Sequence, residues 1–255
     1  RTQGGEPERI FHRAFFIPVG SLKLGSALGV LFFHDNKYFR STGLLEKQES
    51  NEWRGQQIFP MEVLRSKSPE MARNQSGILN NGPNAVLIGA GSLGSAMLNL
   101  WGRSGWGQWT IVDKDHIKPH NLSRHVALAH QIGDTKTDVA VELHDAAMQG
   151  ASKVIGLFAD ACDTSQEQVW QTLREAQLVI DASTTLEYPR LASTHDAIGR
   201  HFSVFVTPDG NSAVLLAEDA NRSTRLRTLE AQYYRALINH EWGRKHLEGN
   251  LATFW

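Results

Sequence analysis

Asn84-Ala-Val-Leu-Ile-Gly-Ala-Gly-Ser-Leu-Gly-Ser95 reads as a short apolar strand that runs into a glycine-rich turn and then a helix. Gly89, Gly91 and Gly94 have the spacing GxGxxG. In such a turn the first glycine permits a tight bend and the second lets backbone approach a phosphate. The third allows the helix to pack close to the strand, and the helix N-terminus offers free N–H groups to an anion. A second apolar run follows, Trp109-Thr-Ile-Val-Asp113. Asp113 lies about 20 residues past the last glycine, where a nucleotide-binding βαβ unit sets a carboxylate on a ribose hydroxyl. The turn alone could serve only to pack a helix on a sheet. The strand before it and the acid after it favour a bound nucleotide.

The rest of the composition bounds the answer. At 255 residues the chain suits one large domain or two smaller ones, and 41% hydrophobic residues suffice for a sizeable core. No apolar run approaches the roughly 18 residues of a membrane span, so no membrane partner is expected. No secretory leader is legible, and the chain opens at Arg1, as a fragment of a longer protein would. The 26 basic and 27 acidic residues leave a net charge of −1, with no long basic block. Nucleic acid is therefore not an expected partner. Cys162 is the single cysteine, which excludes a disulfide framework and a cysteine-based zinc site and suits a cytoplasmic location.

Residues 1–58 form an N-terminal segment with no catalytic constellation, whose role stays open and which could be the remnant of another domain. Within it, residues 14–33 suit two or three short strands, and residues 34–58 a linker or surface hairpin. Residues 60–75 look helical in pieces, with Ser68-Pro69-Glu70 as a helix start. Helices are expected at about 93–104, 134–148, 165–175 and 186–200, and one long helix at 224–247. Strands are expected at 154–159, 178–182, 203–207 and 212–216, the last two around a turn at 208–211. This alternation over residues 59–255 predicts an α/β fold: a Rossmann-like, mostly parallel sheet with helices on both faces.

Chemistry concentrates just past the second strand, in Asp113-Lys-Asp-His-Ile-Lys-Pro-His-Asn-Leu-Ser-Arg-His125. Asp115 follows Asp113 at the strand end. Asn121 and Arg124 are spaced to share one face of a turn. Further on, Gly133-Asp-Thr-Lys136 opens a helix with a lysine in its first turn, where a cation opposes the helix dipole. Such a lysine could instead reach a polyphosphate held at the glycine turn. Adenylation of a carboxylate needs this set: the carboxylate attacks the α-phosphate in line, pyrophosphate leaves, and Arg and Lys neutralise the phosphate oxygens. The plainer readings are an Asp113–Arg124 ion pair and a solvated Lys136.

GAGSLGS, IVDKD, HNLSRH, GDTK and VIDAST, in this order and spacing, resemble the ThiF/HesA/MoeB adenylation domain of the ubiquitin-activating-enzyme superfamily. The likeness covers roughly residues 60–217. The LRSKSP and NLSRH phrasing looks like bacterial members linked to ubiquitin-conjugating-like domains, often in antiphage conjugation systems. The resemblance implies ATP with Mg²⁺, a ubiquitin-like protein or other protein C-terminal tail as substrate, and a homodimer. It implies that Gly89, Gly91 and Gly94 cradle ATP, that Asp113 holds the ribose and that Asp115 sits near the phosphates. Asn121, Arg124 and Lys136 would bind and activate the phosphates. An arginine of a partner subunit can enter such a site; Arg65 and Arg73 are the candidates.

Two departures stand out. The family pattern DxxD, which binds Mg²⁺, is here Asp181-Ala-Ser-Thr184, and the neutral Thr184 is a weak ligand. Asp181 is then the expected metal residue. No cysteine follows Cys162 that could carry a thioester, and Cys162 itself reads as structural. Two other functions compete with adenylation: an NAD(P)-dependent oxidoreductase, which leaves Arg124 and Lys136 unexplained, and a degenerate scaffold that has kept the fold. The histidines at 116, 120, 125 and 130 match no common zinc spacing.

Overall fold

The computed structural model describes residues 12–40, 51–64, 66–151, 153–207 and 210–247. The turn expected at 208–211 and the candidate Arg65 fall wholly or partly outside them. Two compact units divide at Arg65/Ser66.

In the first unit, β1 (Ala14–Phe16) is followed by α1 (Ser21–Ala27), β2 (Leu31–His34), β3 (Lys37–Arg40) and β4 (Phe59–Met61). β1 pairs antiparallel with β4, so residues 59–61 belong with the N-terminal segment. β2 and β3 form a hairpin whose two turn residues, Asp35 and Asn36, both have positive φ (48° and 61°), as a two-residue turn between twisted strands requires. Residues 21–27, expected as strand, are helical. Gly25 lies where a Cβ would sit 2.5 Å from Leu31 Cδ1, so it is the contact that lets α1 rest on β2.

The second unit begins with α2 (Pro69–Gln75), whose Ser68 Oγ accepts from Met71 N at 3.1 Å. Next come β5 (Asn84–Ile88), α3 (Ser92–Arg103), β6 (Gln108–Asp113), α4 (Lys136–Met148), β7 (Ile155–Phe158), α5 (Glu167–Glu175) and β8 (Leu178–Asp181). The chain continues through α6 (Glu187–Ala192), β9 (Arg200–Val206), β10 (Ala213–Ala217), α7 (Leu226–Asn239) and α8 (Glu241–Leu247). The sheet order is β10-β9-β8-β5-β6-β7; only β10 runs antiparallel. The sheet is α/β, Rossmann-like and mostly parallel, as expected.

β5 is buried on both faces, and its alternating residues feed two cores. Ala85 and Leu87 pack with Leu98 of α3 and Ala140 of α4. Val86 and Ile88 pack on the other face with Val169 and Leu173 of α5 and Tyr188 of α6. Helices thus cover both faces, and the near-continuous apolar run of β5 is what a central parallel strand needs. The chain turns from one side of β5 to the other between β7 and β8. This topological switch point is where open α/β sheets place ligands, beyond the carboxyl ends of the strands.

Two helices are shorter than their patterns. Residues 186–200 are helical only to Ala192, because Arg200 already begins β9. The segment 224–247 breaks at His240, which is extended (φ −124°, ψ 143°), and the chain folds back so tightly that a Cβ on Gly243 would meet Leu237 O.

The buried Glu218, just past β10, ties β9 and the start of α7 together. Its carboxylate accepts from Arg222 Nε (2.7 Å), His201 N (3.0 Å) and Leu226 N (3.2 Å). Arg222, also buried, donates onward to the carbonyls of His195 and Ile198, both at 3.0 Å. Removing one partner strands the other charge in the interior. Glu218→Ala is expected to lower unfolding stability by about 3–5 kcal/mol in urea denaturation. Glu167→Ala, which removes an exposed partner of Arg174, should cost less than about 1 kcal/mol.

Candidate functional site

The glycine turn sits at the carboxyl end of β5. Gly89 has φ +90°, and a Cβ there would lie 2.8 Å from Ser183 N and Cα, so the turn runs against the segment that leaves β8. A Cβ on Gly94 would lie 2.0 Å from Gly89 O, so the first turn of α3 is pressed onto the bend. Gly91 differs: a Cβ there meets nothing within 4 Å. Neither strain nor packing requires glycine at 91, whereas close approach of a ligand would.

Ala90, between the first two glycines, is held at both its N–H and its carbonyl. Asp113 Oδ2 accepts from Ala90 N at 2.7 Å, and Asp113 Oδ1 accepts from Asp115 N at 2.8 Å. On the other side, the ring of the buried His125 bonds the Ala90 carbonyl through Nε2 at 2.7 Å. Its Nδ1 accepts from Ala127 N at 3.0 Å, so the proton resides on Nε2 and His125 donates to Ala90. Burial is the main cause that pushes the His125 pKa down, with the nearby Lys136 charge acting in the same direction.

Residues 115–117 run beside 133–136. Gly133 N donates to Ile117 O, Ile117 N to Asp134 O and Lys136 N to Asp115 O, at 2.8–3.0 Å. This pairing brings Lys136 to the carboxylates. Its Nζ lies 2.7 Å from Asp115 Oδ2 and 3.9 Å from Asp113 Oδ1, and its side chain is only 11% exposed. The bond from Lys136 holds the Asp115 carboxyl below the usual carboxylate range. Lys136 is therefore not a solvated surface lysine.

A 3-10 turn at Pro119–Ser123 carries the next two candidates. Asn121 is committed in part to the turn: its Oδ1 accepts from Lys118 N (2.9 Å), and its carbonyl accepts from Arg124 N and His125 N. The Arg124 carbonyl accepts from Ser92 Oγ, the first residue of α3, at 2.8 Å. Arg124 is thus moored beside the glycine turn. Its side chain is exposed, and among the described residues its guanidinium makes no ion pair or hydrogen bond. The simple Asp113–Arg124 pair does not form; Lys136 is the cation beside Asp113.

Asp181 ends β8 beside Ile88, at the switch point. It is 1% exposed, and both its oxygens are engaged. Oδ1 accepts from Ser183 Oγ (2.6 Å) and Ser183 N (3.1 Å), and Oδ2 accepts from Ser203 Oγ of β9 (2.7 Å). Burial pushes its pKa up. Thr184 has φ +61°, uncommon for a β-branched residue, and its hydroxyl donates to Ser183 O. Among the described residues no three His, Cys, Asp or Glu side chains gather as a metal site. This donor set does not fit a Mg²⁺ ion held by Asp181: the carboxylate is closed off by two serines, and its work here is to tie β8 to β9.

Arg73 lies elsewhere, with Nη1 donating to Gly105 O at 3.0 Å past the C-terminal end of α3. Cys162 follows β7, half-buried; burial and then the Glu187 charge push its thiol up to about 11, so it is a poor nucleophile. His125, Ser92 and Ser203 escape a reading by motif. His125 stands among four histidines with nothing in its spacing to show that it alone is turned inward.

Against known proteins, residues 72–192 match the ThiF family. The matched stretch carries the glycine turn, Lys136 and Asp181. The chain is 29% identical over 108 residues to the sulfur carrier protein ThiS adenylyltransferase of Bacillus subtilis (strain 168), covering 40% of this chain and 30% of that protein. Among solved structures it is similar to E. coli MccB with ATP, at 17% identity and TM-score 0.42, over 51% of this chain and 38% of that one. It is also similar to E. coli tRNA N6-threonylcarbamoyladenosine dehydratase TcdA with AMP, at 20% identity and TM-score 0.42, over 49% and 51% of the two chains. The matched stretch is well under two thirds of each relative. No helix among the described residues is long and apolar enough to cross a membrane.

The two loop glycines predict opposite outcomes. Gly94→Ala forces backbone to move and should cost about 1–3 kcal/mol, lowering the melting temperature by roughly 2–10 °C. Gly91→Ala should leave thermal unfolding, followed by circular dichroism, within about 0.5 kcal/mol of wild type.

Proposed function

We propose that this domain binds ATP at the carboxyl ends of β5, β6 and β8 and adenylates the C-terminal carboxylate of a small protein, releasing pyrophosphate. One observation carries the reading. The α3 N-terminus, the Lys136 ammonium held by Asp115 and Asp113, and Arg124, whose carbonyl is moored to Ser92, all border one turn, whose middle glycine faces open space. Together they offer two cations and a row of N–H groups to a polyphosphate, at the place where such a sheet binds ligands. In-line attack at the α-phosphate needs little from the protein beyond positioning and charge neutralisation.

Each residue then has a task. Gly89 and Gly94 shape the turn, and Gly91 admits the phosphates. Asp113 holds the turn through Ala90 and keeps lone pairs that a ribose hydroxyl can use. Lys136 leaves Asp115 for the phosphates, and Asp115 keeps the ammonium aimed until then. Asn121 sets the turn that presents Arg124. Magnesium enters with ATP, held by phosphates and water rather than by Asp181. The tail would come from a ubiquitin-like or sulfur-carrier protein; the ThiS adenylyltransferase relative supports that substrate class. Cys162, its thiol pushed up to about 11, is a poor acceptor; a thiol elsewhere, in this protein outside residues 1–255 or on a partner such as a ubiquitin-conjugating-like protein, would take the acyl group. A homodimer and a role in a bacterial conjugation or sulfur-transfer pathway, antiviral or otherwise, complete the proposal.

Calorimetric titration with Mg-ATP and with NAD tests it without knowledge of the partner. ATP should bind, and Lys136→Ala should weaken it by at least about tenfold, one charge-assisted hydrogen bond. NAD binding without ATP binding would overturn the adenylation reading in favour of a dehydrogenase. Binding of neither would favour the scaffold.

A further inference from the structure

His125 is enclosed, in contact with the turn and unused by the chemistry above. It links four segments. Its Nε2–H holds Ala90 O, its Nδ1 accepts from Ala127 N, and its own N–H donates to Asn121 O at 2.8 Å. The preceding carbonyl, that of Arg124, anchors Ser92 at the start of α3. The ring can meet both of its bonds only when neutral with the proton on Nε2. Protonation puts an N–H on Nδ1, against the Ala127 N–H. Two donors then face each other in a buried place, and the 125–127 segment must shift. That shift drags on Ala90, Asn121 and Arg124 together.

We propose that His125 is a positioning residue whose neutral ring sets the shape of the glycine turn, and whose protonation weakens nucleotide binding there. The binding half rests on the ATP reading above. The charged groups that act on the ring are the Lys136 ammonium from α4 and the Asp113 carboxylate from β6; the glycine turn contributes the Ala90 carbonyl. Burial and Lys136 favour the neutral ring, and Asp113 and the Ala90 carbonyl oppose them. The folded pKa lies below the ordinary value of 6.5. The stabilisation from a neutral His125 is therefore fully present above that value, and it is lost as pH falls through it toward the folded pKa.

The test has a ligand-free arm and a binding arm. In the ligand-free protein, NMR follows the His125 ring and the amides of Ala90 and Ala127 from pH 8 to pH 5. The expected result is one shared midpoint below the ordinary histidine value. A ring that titrates while both amides stay still would overturn the proposal. In the binding arm, ATP affinity is measured across the same range for wild type, His125→Gln and His125→Leu. Gln retains an N–H donor for Ala90 without a titrating ring, and the wild-type-to-Gln ratio cancels ATP's own protonation. That ratio should be flat above about pH 7 and fall at least about threefold as pH drops through the midpoint the NMR arm finds. His125→Leu, without a donor, should bind about tenfold more weakly than Gln at every pH. A flat ratio, or a Leu variant equal to Gln, would sink the positioning role. If ATP binds none of the three at any pH, the nucleotide reading has failed and takes the binding half with it. The amide arm still decides whether His125 shapes the turn.

Discussion

Ala90 is the constraint on which the site depends. Its N–H is taken by Asp113 and its carbonyl by His125, so the two peptide groups that flank it are each fixed by a different segment. A glycine-rich turn left to itself is the most adaptable stretch of a chain, since glycine gives up more backbone freedom on folding than any other residue. Here that freedom is removed by a carboxylate from the end of β6 and an imidazole from the connection after it. The N–H groups at the start of α3 keep their direction because the peptide before them cannot turn.

The same carboxylate shapes the electrostatics. A lysine in the first turn of α4 opposes the helix dipole, at a cost of about 0.3–1 kcal/mol. Thr135 offsets part of this as N-cap, its Oγ1 accepting from Asp138 N at 3.0 Å, and Asp138 adds a negative charge in the first turn. Asp115 and Asp113 supply the rest by facing the ammonium. Lys136 is thus stabilised by partners of which one, Asp115, is largely exposed and can release it to a polyanion. A lysine buried among fixed partners would have no such exchange. The arrangement makes physical sense if the charge is meant to be handed over, and little sense as a device for stability alone.

Much of this was legible in the chain. The apolar run 84–88, the three glycines and Asp113 define a parallel βαβ unit, because each piece has one geometric use. Lys136 stands out in the sequence because it sits where helix physics disfavours it. What could not be read was the inward or outward turn of individual polar side chains. Asp181 looks like a metal carboxylate from its strand-end position, yet the residue that closes it off, Ser203, comes from β9, 22 positions away. This is a long-range pairing between residues of ordinary type, and no local period announces it. The helix at 21–27 was missed for a related reason: its glycine marks a packing contact, not a turn.

Asp181 and Thr184 together say how the site differs from a metal-holding one. A buried carboxylate with both oxygens satisfied stays where it is, because opening it to an ion would strand the Ser183 and Ser203 hydroxyls. Thr184, with its backbone in the left-handed region and its hydroxyl turned to Ser183 O, offers no charge in compensation. The segment 181–184 then serves as a floor: it meets Gly89 from below and ties β8 to β9, so that the glycine turn rests on a rigid strand end. In the proposed reading, charge neutralisation falls to Lys136 and Arg124 instead. A site built this way concentrates its positive charge on two side chains and one helix end. Its affinity for a polyphosphate then depends on how firmly Ala90 keeps that helix end aimed.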